Sequence, residues 1–193
     1  GNYRKKNYKI IVVSSAMSGV TNDLIKKSRQ ISKNFSESEY DVLVSSGEQV
    51  ACSLIAGRLN NNGFKARSWL SWQIPIHTTG PHKNSRINSI NKIKIIKFLK
   101  KGGIPIITGF QGINLDERLT TIGRGGSDAS AIMLAKFFKA QRCIIYTDVE
   151  GVFTTDPNKL KKAKKIRVIS YEEMLGMASL GAKVMQPVSI QDA

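Results

Sequence analysis

The chain is 193 residues long, 41% hydrophobic and 23% charged, the balance of one globular domain, which excludes wholesale disorder and collagen-like repeats. Thirty Lys and Arg against fourteen Asp and Glu give a formal charge of +16, which raises nucleic acid or polyphosphate as partners, although much of the excess lies in residues 92–101 and 159–167, where a solvated surface accounts for it. The longest early apolar run, residues 10–13, is too short for a signal peptide, and no span approaches the ~20 residues of a transmembrane helix.

Residues 9–14 form a short apolar run that reads as a buried strand, bounded by a Ser/Ala/Gly-rich turn at 14–19. A helix follows, with Asn22 as its N-cap and Leu24, Ile25, Ser28 and Ile31 along one stripe. Ser38 and Asp41 open a second helical segment in which Leu43, Val50, Leu54, Ile55 and Leu59 recur until residues 60–63 stop it; its early part, 40–46, reads equally as a strand. Residues 66–70 read as a strand and the polar stretch 78–85 as an excursion over the surface.

Residues 89–101 read as an amphipathic helix, with Ile90, Ile93, Ile96 and Leu99 on one face and lysines on the other. Gly102 and Gly103 end it. Residues 104–110 are a continuous apolar strand, 128–138 a helix, 143–147 a further buried strand, and 171–180 a last helix closed by Gly181. Strands that are continuous apolar runs alternating with helices predict an α/β fold with a mainly parallel sheet covered on both faces. Ligands of such folds collect at the carboxyl ends of the strands. Cys52 and Cys143, with no CxxC pair, read as buried thiols in a reducing cytoplasm, and a domain of this length buries about 70% of its unfolded surface without staples.

Chemistry concentrates at three places. Gly109-Phe110-Gln111-Gly112 and Thr121-Ile122-Gly123-Arg124-Gly125-Gly126-Ser127-Asp128 lie between a strand and a helix; glycines there let backbone N–H groups at a helix N-terminus meet an anion, and Arg124 adds a bidentate grip on a carboxylate or phosphate. A plain glycine-rich turn capped by Ser127 or Asp128 is the simpler alternative. The segment from Tyr146 to Pro157 follows the 143–147 strand, where polar groups face a ligand. Glu48, in Ser45-Ser46-Gly47-Glu48-Gln49, could meet an ammonium group or serve as an ordinary solvated carboxylate. P-loop, dinucleotide-binding and protein-kinase signatures are absent. Neither His77 nor His82 has a partner at metal-ligand spacing, and both read as surface loop residues.

The ordered blocks Val13-Ser14-Ser15-Ala16-Met17, Ser46-Gly47-Glu48, Gly109-Phe110-Gln111-Gly112, Thr121-Ile122-Gly123-Arg124-Gly125-Gly126-Ser127-Asp128, Tyr146-Thr147-Asp148-Val149-Glu150-Gly151-Val152-Phe153-Thr154-Thr155-Asp156-Pro157 and Leu180-Gly181-Ala182-Lys183-Val184-Met185 resemble the catalytic domain of the aspartate kinases over nearly the whole chain. The resemblance implies the amino-acid-kinase (carbamate-kinase-like) fold, a three-layer αβα sandwich on a mainly parallel sheet spanning 1–193. It implies ATP- and Mg²⁺-dependent phosphorylation of the L-aspartate side-chain carboxylate to 4-phospho-L-aspartate, which opens the route to lysine, threonine and methionine. It also implies a cytoplasmic protein, dimeric in its full-length form, that binds neither nucleic acid nor membrane.

By the same resemblance Glu48 meets the substrate ammonium, and Arg124 holds the α-carboxylate with Ser127 and Thr21 nearby. Thr147 and Asp148 bind the nucleotide, with Phe153 against the adenosine part. Lys183 approaches the phosphates, and Asp128 organises the cationic groups around the transferring phosphoryl. The family's Lys-Phe-Gly-Gly first strand and its regulatory ACT domains have no counterpart here, so we expect a piece of a longer protein; the chain also opens at Gly1 without a methionine and stops abruptly at Ala193. Asn158 stands where the family usually has arginine, Gln186 where it has histidine, and Phe153 where tyrosine is common. Competing readings are a relative acting on glutamate, acetylglutamate or a nucleoside monophosphate, a catalytically silent binding piece, and a nucleic-acid module, the last disfavoured by only 7% aromatic residues.

Overall fold

The computed structural model describes residues 8–123, 125–147, 151–155 and 159–179. In chain order these form β1 (Val12–Ser14), α1 (Val20–Ile31), α2 (Glu37–Asn61), β2 (Ala66–Trp69), β3 (Ile76–Thr79), β4 (Arg86–Ile90), α3 (Ile93–Lys100), β5 (Ile104–Thr108), β6 (Gln111–Ile113), β7 (Leu119–Thr121), α4 (Gly126–Phe137) and α5 (Tyr171–Ser179).

β1, β5 and β2 make an all-parallel sheet in that order, with Val13 beside Ile107 and Ser68 beside Ile106. β5 is buried at every position, as a central strand covered on both faces must be. Its side chains alternate between two cores. Ile104 and Ile106 pack with Cys52, Ala56 and Ala66, while Ile107 packs with Trp69, Ile74, Ile76, Ile95 and Leu134. Helix α2 therefore lies on one face and α3 and α4 on the other, the αβα layering expected from the sequence. A second sheet, ordered β4-β3-β6-β7, pairs β3 with β4 and β6 with β7 antiparallel and β3 with β6 parallel.

Several expectations are corrected. The N-cap of α1 is Gly19, at φ 83, and Asn22 sits inside the helix. Residues 40–46 belong to α2 and not to a strand. The stretch 78–85 is no mere surface excursion, because Thr78 and Ser85 are buried and β3 takes its first residues. Ser89 and Ile90 belong to β4, so α3 begins at Ile93, and its buried side chain is Ile95, with Ile93 73% exposed. β6 and β7 carry no apolar run, being three-residue strands rich in Gly, Gln and Thr; they become strands by pairing with each other and, for β6, with β3 through His77 and Ile113. Residues 142–147 carry no regular secondary structure and Cys143 is exposed. A short apolar run does not specify a partner strand.

Candidate active site

The carboxyl ends of β1 and β5 lie side by side, joined beyond the ladder by the Gly109 N–H donating to the Ser14 carbonyl at 3.0 Å. From there β1 turns through residues 15–19 into α1, whose first turn holds the half-buried Thr21. Helix α2 passes under this turn at very short range. A Cβ at Gly47 would lie 2.9 Å from Ala16 Cβ and 3.2 Å from Val20 Cγ1, so only glycine admits the helix, at a cost of about 1 kcal/mol of helix propensity relative to alanine.

That approach delivers Glu48. Its side chain is 3% exposed, Oε1 accepts the Ala16 N–H at 3.2 Å, and Oε2 is buried without a partner. Burial pushes its carboxyl up to about 7, against the lowering effect of backbone donors that include Ala16. Thr108 Oγ1, at the end of β5, is likewise buried and unpartnered. Buried polar atoms are nearly always hydrogen-bonded; of the four without a partner among the described residues, Trp69 Nε1 and Ser71 Oγ lie at and after the end of β2, and Glu48 Oε2 and Thr108 Oγ1 belong to the neighbourhood of β1 and β5. One turn beyond Glu48, burial raises the Cys52 thiol to about 12, which makes it inert.

The other wall is the start of α4. Phe110 leaves β5 at φ 64, a left-handed conformation unusual for a bulky residue. Its N–H donates to Ser130 Oγ at 3.0 Å, Ser130 in turn donates to the Gly126 carbonyl at 2.7 Å, and Ile122 N–H donates to the Phe110 carbonyl at 3.0 Å. The helix N-terminus is thereby drawn onto the strand end, where a Cβ at Gly109 would lie 3.1 Å from Ser127. The N-cap is Gly125, at φ 69, with no side-chain cap bond. Ser127 and Asp128 therefore stand in the first turn, half-buried, rather than capping it, and burial raises the Asp128 carboxyl.

The structure thus brings Thr21, Glu48, Ser127 and Asp128 to the carboxyl edge of the parallel sheet, as the strand-end rule requires. Thr147 is exposed, and Phe153 is half-buried on a short antiparallel bridge to Lys165. The segment around Thr147 runs past α4, since partial desolvation against the protein and then the charge of Asp128 raise the thiol of the surface residue Cys143. Arg124, Asp148, Asn158, Lys183 and Gln186 lie outside the described residues.

Two residues that the sequence placed elsewhere belong to this neighbourhood. Asp41, read as part of a helix opening, is fully buried, and His82, read as a surface loop residue, is its partner at 2.7 Å. The available signal was spacing: Asp41, Ser45 and Glu48 fall at i, i+4 and i+7 on one face of α2. Gln111 Nε2 clips that face to β6 by donating to the Ser45 carbonyl at 3.0 Å.

The sequence model of the amino acid kinase family matches residues 1–191. An aspartokinase of Rickettsia felis is 49% identical over 189 residues, covering 96% of this chain and 47% of its own length. An aspartokinase of Geobacillus stearothermophilus is 47% identical over 189 residues, covering 98% of this chain and 46% of its own. The crystal structure of E. coli aspartokinase III in complex with aspartate and ADP superposes with a TM-score of 0.85 at 27% identity, covering 95% of this chain and 52% of that one. The chain spans about half the length of the curated relatives it matches.

Proposed function

The chain belongs to the amino acid kinase family, and from that premise we propose that residues 1–193 are the catalytic domain of an aspartate kinase, which transfers the γ-phosphoryl group of MgATP to the side-chain carboxylate of L-aspartate. The observation that carries this reading is Glu48: a buried carboxylate with one oxygen held by Ala16 N–H and the other without a partner, facing the edge where parallel strands present ligands. Such a group suits an ammonium ion. Similarity to a kinase crystallised with aspartate and ADP supports the same substrates.

The chemistry asks little of a base. The reference pKa of an aspartate side chain, about 3.9, leaves it ionised at neutral pH, so the nucleophile is ready. Its oxygen forms a bond to the γ-phosphorus as the bond to the bridging oxygen of ADP breaks, and no proton moves. What remains is to bring two anions together in line, which calls for cations and N–H dipoles. In this reading Glu48 binds the substrate ammonium, while Arg124, with Ser127 and Thr21, binds the α-carboxylate at the N-terminus of α4. Asp128 and Lys183 are the catalytic pair, Lys183 on the phosphates and Asp128 organising the cations. Thr147, Asp148 and Phe153 hold the nucleotide. Mg²⁺ arrives with ATP, held chiefly by phosphate oxygens, as is usual for this ion. The parent protein is a cytoplasmic homodimer in this reading; among the described residues no helix is long and apolar enough to cross a membrane.

Thermal shift tests the proposal directly. A ligand at 100 times its Kd adds about 2.7 kcal/mol of stability. L-Aspartate should raise Tm, L-glutamate should not, and Arg124→Ala should abolish the rise. An equal rise with L-glutamate, or none with L-aspartate in the presence of MgATP, would overturn it.

A further inference from the structure

Asp41 lies on the same face of α2 as Glu48, two turns earlier, and its carboxylate gathers donors from two distant stretches of chain. Oδ1 accepts the Thr121 hydroxyl at 2.6 Å, and Oδ2 accepts the Thr121 N–H at 3.1 Å and His82 Nδ1 at 2.7 Å. The Lys83 N–H lies 3.2 and 3.1 Å from the two oxygens. These contacts converge on the entry to the glycine-rich loop. The Thr121 carbonyl accepts the Ser85 N–H at 2.9 Å, Ile122 is tied to Phe110, and a Cβ at Gly123 would sit 3.0 Å from Asn84 Oδ1. Residues 121–123 are therefore held by α2, by the strand end of β5 and by the 82–85 turn.

Burying a carboxylate is expensive, and an apolar cluster of the same volume would hold the fold at least as well. What the carboxylate adds is direction: hydrogen bonds from Thr121, His82 and Lys83 to its two oxygens tie those residues to one point on α2. Asp41 and Glu48 are seven residues apart, about 10 Å along a helix that rises 1.5 Å per residue. One end of this rigid segment reaches the loop that continues into Arg124 and Ser127, and the other presents Glu48.

We propose that Asp41 is a positioning residue for substrate recognition: through Thr121, and backed by His82 and Lys83, it sets the chain leading to Ser127 and the first turn of α4 at a fixed distance from Glu48, so that α2 gauges the separation between the carboxylate grip and the ammonium grip. The inference rests on the aspartate kinase reading above. The ammonium and α-carboxylate of an amino acid share one carbon, so the two grips must be in register to within about 1 Å, an error that elsewhere costs about 100-fold.

The test compares L-aspartate with β-alanine, which keeps the ammonium and the distal carboxylate but lacks the α-carboxylate. Affinities are read by NMR titration of the isotope-labelled chain. In the wild type L-aspartate should bind at least about tenfold more tightly, the worth of one charged bidentate contact. Asp41→Asn should collapse that preference to within about threefold while leaving β-alanine affinity nearly unchanged, because the register of the first turn of α4 against Glu48 is what is lost. Thr121→Val should do the same without removing the buried charge, Thr121→Ser should restore the preference, and both keep the test alive if Asp41→Asn does not fold. Retention of the preference in both variants, or equal loss of both ligands, would sink the proposal. A wild type that binds the two ligands alike would instead sink the aspartate kinase reading, and this inference with it.

Discussion

Glu48 Oε1 accepts the backbone N–H of Ala16 at 3.2 Å across 32 residues of sequence, and this contact binds the middle of α2 to the turn that leaves β1. The same carboxylate is raised from 4.5 to about 7 by burial, so its charge is poised at physiological pH. Binding an ammonium needs the ionised form. L-Aspartate affinity should therefore be level above about pH 7.5 and fall toward tenfold per pH unit below about 6.5, a limb that Glu48→Gln should flatten while weakening binding throughout. Titration calorimetry from pH 5.5 to 8.5 measures it, and a flat wild-type profile would refute the assignment.

The same shift has a stability consequence of opposite sense to that of a salt-bridged acid. A carboxyl whose folded pKa exceeds its unfolded one keeps its proton longer when folded, so the unfolded state binds fewer protons between about 4.5 and 7. Stability should fall across that window as pH rises and level off above it, by roughly 3 kcal/mol for 2.5 units. Glu48→Gln should raise Tm at pH 8 and leave it nearly unchanged at pH 4.5. Equal effects at the two values would contradict a buried, ionised carboxylate.

Gly47 should tolerate nothing larger. Gly47→Ala places a methyl 2.9 Å from Ala16 Cβ, and overpacking of this kind costs about 1–3 kcal/mol, more than the ~1 kcal/mol gained in helix propensity. Gly57, in the same helix, has nothing within 4 Å of its would-be Cβ, so Gly57→Ala should be neutral or stabilising. Denaturant midpoints for the pair separate steric contact from propensity.

Ser130 couples the end of β5 to the start of α4 through two hydrogen bonds. Ser130→Ala leaves the Phe110 N–H without its acceptor while Phe110 stays at φ 64, and should cost about 1–3 kcal/mol. L-Aspartate affinity should fall with it, because the first turn of α4 is released from the strand. Unchanged Tm and affinity would show that the packing around Phe110 suffices.

The two cysteines should differ sharply toward a thiol reagent. Cys143 is exposed, whereas Cys52 is buried with its thiol raised to about 12. One thiol should react in the native chain and two after denaturation, and Cys143→Ser should remove the native reaction. Two native equivalents would place Cys52 within reach of solvent.

The alternation of apolar strands with helices, and the glycine-rich link between residues 109 and 128, are legible in the chain because they are local: a run of branched aliphatics and a cluster of glycines mean much the same in any context. The family blocks add candidate site residues, of which Thr21, Glu48, Ser127 and Asp128 lie on helices that start or pass beside the carboxyl ends of β1 and β5. The orientation of α2 was only partly legible. Of its recurring apolar residues Leu43, Val50, Leu54, Ile55 and Leu59, the last two pack against the core beside Cys52, yet Val50 and Leu54 are 49% and 56% exposed, and the buried face also carries Asp41, Ser45, Glu48 and Cys52. Periodicity identifies a helix but not the side that neighbours will cover, least of all when apolar and polar residues are spread around it. The Asp41 cluster and the joining of β6 to β3 share that cause: Asp41 meets donors some 40 to 80 residues away and Ile113 of β6 pairs with His77, contacts that exist only once the sheet has assembled.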